Sequence, residues 1–229
     1  MSDQQTEEIA RQLICVGNRA VVMERYLLRK AWGIYYAIWA LSILLFIYLP
    51  NLLNPIRPAY LQDIAFGASY AAIILVAGYI SGFVFSRAAG AAKLQEDLAG
   101  KSSRNVKASI LNFTIMVFLF LMVILLATGL FRSFFGALLE AIILALVAVY
   151  VYHSVSRSMG KVPAESAIAI ITFIFSDIFS TFSAIITRGG FYYADFWIPT
   201  VVAWLLASLI SFANAGDELL QNINTEECN

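Results

Sequence analysis

Apolar side chains gather along this chain in six stretches, at 31–50, 65–86, 109–130, 133–153, 166–187 and 196–214, separated by polar links. A stretch near twenty residues matches roughly 30 Å of hydrocarbon at about 1.5 Å rise per residue, and helices in soluble cores are rarely apolar for so long. With no water in the bilayer core, each span must satisfy its backbone groups internally, which only helices and closed barrels do. The pattern therefore predicts an all-α fold: a polytopic bundle of six transmembrane helices.

Composition agrees with that pattern. The chain is 61% hydrophobic and 13% charged, and its mean hydropathy is +0.79. Fifteen basic and fifteen acidic residues cancel, so no basic surplus points to nucleic acid. Cys15 and Cys228 stand near opposite ends and His153 is the sole histidine, which gives no metal-ligand spacing and no expected cofactor. The first thirty residues lack the apolar centre and small-residue cleavage site of a secretory signal, so the first span is expected to insert itself and remain.

Charge then orients the spans. Arg11, Arg19, Arg25, Arg29 and Lys30 precede the first span. Arg87, Lys93, Lys101, Arg104 and Lys107 follow the second, and Arg157 and Lys161 follow the fourth. The opposite links hold one base each, Arg57, Arg132 and Arg188. Twelve against three, alternating by side, places both termini in the cytoplasm of a cell-membrane protein.

Three regions follow: an N-terminal amphipathic helix over 1–30, reading from Glu7 to Lys30 as one helix that leads into the first span, the bundle over 31–214, and a polar tail over 215–229 expected to be disordered. In the first region Ile9, Leu13, Val16, Ala20, Met23 and Leu27 fall at heptad spacing, interrupted by Gly17 and Asn18. One reading is a helix lying on the inner leaflet; the other is a docking helix for a partner or a second copy of the chain. The prolines of Asn54-Pro55-Ile56-Arg57-Pro58 cannot continue a helix and mark a turn. Gly189-Gly190 followed by Phe191, Tyr192, Tyr193 and Trp197 fits an interfacial aromatic belt. The polar loop 88–108 has room for a short helix from Ala88 to Leu98, ending before Gly100.

Two acids interrupt the apolar runs, Glu140 in the fourth span and Asp177 in the fifth. Such residues usually face protein or water rather than lipid. Measured from Arg132 and Arg188 they lie about 12 and 16 Å deep, so the two could share one site. The fifth span also carries Thr172, Ser176, Ser180, Ser183 and Thr187 at three- and four-residue spacing, with Thr181 beside them. That face reads either as a hydrophilic lining or as hydrogen bonding between helices. The pathway candidates are thus Asp177, Glu140, Ser176, Ser180 and Thr181. Ser133, Ala137, Ala141 and Ala145, together with Gly78 and Gly82, suggest close helix contacts.

No motif establishes a chemistry. An intramembrane hydrolase would need a nucleophile with its base, a flanked acid pair or a metal, so the protein is not expected to be an enzyme. Six spans, cytoplasmic termini, an entry helix and a charged loop between spans two and three make a layout similar to the membrane half of many ABC exporters. That resemblance implies an ATPase partner docked through residues 7–30 and 88–108, since the chain has no GxxxxGK[ST] loop of its own. The expectation is a permease-like transport subunit. The alternatives are a homo-oligomeric proton or cation carrier or channel using Asp177 and Glu140, and a non-transporting scaffold.

Overall fold

The computed structural model describes residues 3–56, 58–98, 134–187 and 194–225. Five helices follow one another: α1 (Asp3–Leu53), α2 (Ala59–Leu98), α3 (Phe134–Met159), α4 (Ala164–Thr187) and α5 (Ala194–Thr225). No strand occurs among the described residues. Each helix contains a segment long and apolar enough to cross a bilayer: Arg25–Leu49, Tyr60–Ala88, Ala141–Met159, Ala164–Ser183 and Phe196–Asp217. These coincide with five of the six expected spans. The other, 109–130, lies outside the described residues, as do Arg132, Arg188 and Gly189–Tyr193.

Turn chemistry separates the helices where the sequence indicates. The amide of Ile56 donates to the Leu53 carbonyl at 3.1 Å, closing α1, and the Pro58 carbonyl accepts from Leu61 at 3.0 Å to open α2. Between α3 and α4, Gly160 takes a left-handed φ of 74°, which only glycine adopts without strain. Pro163 then leads into α4, its carbonyl accepting from Ala167 at 3.0 Å.

The packing order differs from the chain order. α1 packs most broadly against α5 and next against α2; α5 packs on α4, and α4 on α3. A lighter contact of α3 with α1 closes a four-helix ring, and α2 touches α1 alone among the described helices. Neighbours run antiparallel. Phe85 of α2 meets Trp32 of α1 at 4.8 Å, while farther along Tyr70 stacks on Phe46 at 4.7 Å. The start of α1's span therefore shares one end of the bundle with the ends of the spans of α2, α3 and α5.

The surface is far more apolar than that of a soluble protein, while the interior holds both an apolar core and several polar side chains. Ile168, Ile171, Phe175, Ile178, Phe179 and Phe182 of α4 are exposed, whereas Glu165, Ser166, Ser176, Asp177 and Ser180 of the same helix are buried. Lipid is the solvent for such a surface. The chain is an integral membrane protein built as a helical bundle.

Two expected boundaries are absent, whereas the N-terminal segment, read from sequence as one helix leading into the first span, continues α1 without a break through Gly17 and Asn18. One glycine costs only about 1 kcal/mol relative to alanine, too little to end a helix flanked by good formers. The short helix expected over Ala88–Leu98 is the continuation of α2. The tail expected to be disordered is helical as far as Thr225, because Asp217–Gln221 contains no breaker and Gly216 alone does not stop the helix.

Two members of the small-residue stripes make no close contact among the described helices. A Cβ at Gly82 would meet nothing within 4 Å, and Ala145 is exposed. The close approach is at Gly33 of α1, where a Cβ would lie 3.3 Å from the Ser208 carbonyl, the Ser211 Cβ and the Phe212 ring of α5.

Candidate functional site

The inward stripe of α4 is built by helical periodicity. Residues 165–166, 169–170, 173, 176–177 and 180 are buried, one turn apart, and face the other helices of the ring. Ser176 and Asp177 are each 4% exposed and Ser180 is 8% exposed. Thr172, Thr181 and Ser183 are half-buried at the edges of the stripe, and the side chain of Thr187 lies outside the described ones.

The hydroxyls join α4 to α5. Thr200 Oγ1 donates to the Thr172 carbonyl at 3.0 Å and lies 2.6 Å from Ser176 Oγ. A hydroxyl has one proton, so Ser176 is the donor in the second bond. One turn away the Trp204 indole donates to the Ala169 carbonyl at 2.7 Å. Thr172 bonds back to its own helix, at Ile168 and Ala169. For Ser176 the reading of the polar face as hydrogen bonding between helices thus has a specific partner, whereas the Thr172 hydroxyl stays on its own helix.

Asp177 occupies a different position in chemical terms. It is a carboxylate about 20 Å along α4 from Ala164, within the membrane-spanning length and shielded from lipid. Glu140 lies in the second turn of α3, and its side chain is outside the described ones. Counted from the α3–α4 turn, Glu140 stands about 28 Å up α3, so the two acids differ in height by roughly 9 Å, nearer two helical turns than one.

Between the two polar levels of α4, Glu165–Ser166 and Ser176–Ser180, the stripe is apolar. Phe173 packs on Trp204 at 5.6 Å and on Trp197 at 5.4 Å, and Trp204 meets Tyr36 of α1 at 5.8 Å. These ring contacts link α4, α5 and α1 beside the Ser176–Thr200 bond. Trp197, assigned from sequence to an interfacial belt, takes part in them.

The lower level was not legible as a site. Arg29 Nη2 of α1 donates to Glu165 Oε1 at 3.0 Å, with the Glu165 side chain 5% exposed. Beside it the Trp32 indole donates to Ser158 Oγ of α3 at 2.8 Å, and Ser158 in turn donates to the Val155 carbonyl at 3.1 Å. These bonds fasten α1 to the α3–α4 hairpin at the end where α1 enters the membrane. Counting bases alone to orient the spans passes over Glu165. Its signal was an acid in the first turn of a helix, two residues after Pro163, where the helix dipole favours negative charge. The chain matches no family model, no curated protein and no solved structure.

Proposed function

We propose that the protein is the membrane-spanning, permease-like subunit of a transport system energised by a partner. The observation that carries transport is Asp177, buried on the inward face of α4 between Ser176 and Ser180. A carboxylate at such depth costs about 2.5–3.5 kcal/mol on insertion scales, so its presence inside a bundle favours work on a cation, a proton or a polar solute. The aromatic cluster of Phe173, Trp197 and Trp204, packed beside Ser176, would act as the barrier that such a pathway opens and closes.

Partner dependence rests on the helix ends. α1, α2 and α5 all continue past their spans at the same end of the bundle, α1 by residues 3–24, about 33 Å. This is the end that the basic residues assign to the cytoplasm of the cell membrane. Such projecting helices suit the docking of an ATPase, as in the exporter layout that the sequence resembles; that likeness is one of layout.

Gentle purification followed by reconstitution tests the reading. An ATPase that co-elutes, and whose turnover rises in the complex, supports it. A pure homo-oligomer giving ion flux that Asp177→Asn abolishes shifts the assignment to a self-contained carrier or channel, the second reading that Asp177 favours. Unchanged flux and assembly in both Asp177→Asn and Glu140→Gln would leave a scaffold.

A further inference from the structure

At the end of the bundle where α1's span begins, a cleft of about 590 Å³ opens between α1 and the α3–α4 turn. Arg25, Arg29, Met159, Gly160, Lys161, Pro163, Ala164 and Glu165 line it. Its size falls within the roughly 300–1,000 Å³ typical of small-ligand sites. Three cations against one carboxylate leave the lining two positive charges in excess, and Glu165 is already engaged by Arg29. Arg25 and Lys161 are exposed, one on each wall.

We propose that this cleft binds the phosphate headgroup of an anionic phospholipid. Two considerations favour a lipid over a free anion. Arg25 is the first residue of α1's membrane-spanning segment and Lys161 follows the last residue of α3's by two, so the charges stand at headgroup height. Met159, Pro163 and Ala164 add an apolar wall, which suits the glycerol and upper acyl chain rather than a hydrated ion. Gly160, in its left-handed turn, keeps that wall low, since no side chain projects there. Arg25 and Lys161 would close on the phosphate from either side, beside the Arg29–Glu165 pair. An occupied cleft would then brace the joint between α1 and the α3–α4 hairpin.

The test uses the full chain in detergent, titrated with phosphatidylglycerol, with phosphatidylcholine of the same acyl chains, and with inorganic phosphate. Bound lipid is read by native mass spectrometry and thermal stability is followed alongside. Phosphatidylglycerol should bind in preference and raise the melting temperature. Arg25→Gln and Lys161→Gln, both exposed and compatible with folding, should each weaken that binding about fivefold. Arg87→Gln removes a charge that is exposed at the same end of the bundle but outside the cleft, and should leave it unchanged. Equal losses in Arg87→Gln, or none in the two cleft variants, would overturn the proposal in favour of diffuse surface attraction. Stabilisation by inorganic phosphate matching that by phosphatidylglycerol would overturn the lipid assignment and leave a free-anion site.

Discussion

At the residue scale, three polar groups make distinct demands on the bundle. Thr200 is fully buried and is the middle of the bond chain from Ser176 to the Thr172 carbonyl. Thr200→Val keeps the shape and removes both bonds, so unfolding in mixed micelles should show a loss of about 0.6–1.7 kcal/mol, the range for hydrogen bonds between membrane helices. The ion pair at Glu165 behaves otherwise. Arg29→Gln strands a carboxylate that is 5% exposed, and breaking such a pair costs roughly 3–5 kcal/mol. The double variant Arg29→Gln/Glu165→Gln should recover most of that loss, and a double variant as unstable as the single one would show that the charge itself is required. Asp177→Asn changes one atom and should spare the melting temperature while abolishing flux in proteoliposomes. A matched loss of stability would assign Asp177 to packing.

At the element scale, close contact is decided by what faces what and not by which residues are small. Gly33 has 3.3 Å of clearance to α5 and Gly82 has open space. Gly33→Leu should therefore push α1 from α5 and destabilise by about 1–3 kcal/mol, as overpacking does. Gly82→Leu should stay within about 0.5 kcal/mol of the parent, read in the same unfolding assay. The sequence pattern weighted Gly82 and passed over Gly33, because a lone glycine in an aromatic-rich helix forms no repeat. Periodicity did find the inward stripe of α4, since hydroxyls and an acid in an apolar run stand out against their neighbours. It could not say that Thr200 and Trp204 of α5 would receive that stripe, because pairing between helices leaves no mark in either one alone.

At the scale of the whole molecule, α1 is about 76 Å long, against roughly 40–45 Å for a bilayer with its headgroups. A helix of that length cannot both cross and lie flat without a bend. Its N-terminal part therefore projects on the side where α5 also ends. Cys15 lies in that projection and Cys228 lies three residues beyond α5. Both thiols should resist a membrane-impermeant maleimide in intact cells and react in inverted vesicles; labelling of one without the other would contradict the antiparallel α1–α5 pairing.

What the sequence alone determined is whatever depends on the solvent of each residue: apolar runs of membrane length, prolines that end them, and bases gathered on one side. Those are one-dimensional properties, because lipid and water each act on a residue directly. The tertiary structure decided what depends on neighbours. It put α5 rather than α2 against most of α1, and set Glu165 on Arg29 across 136 residues of chain. It also gathered Phe173, Trp197 and Trp204 into one aromatic cluster between α4 and α5. Lipid-facing and bundle-facing surfaces are both apolar, so hydropathy cannot choose partners. Among the described residues, shape, hydrogen bonds and the Arg29–Glu165 ion pair make that choice.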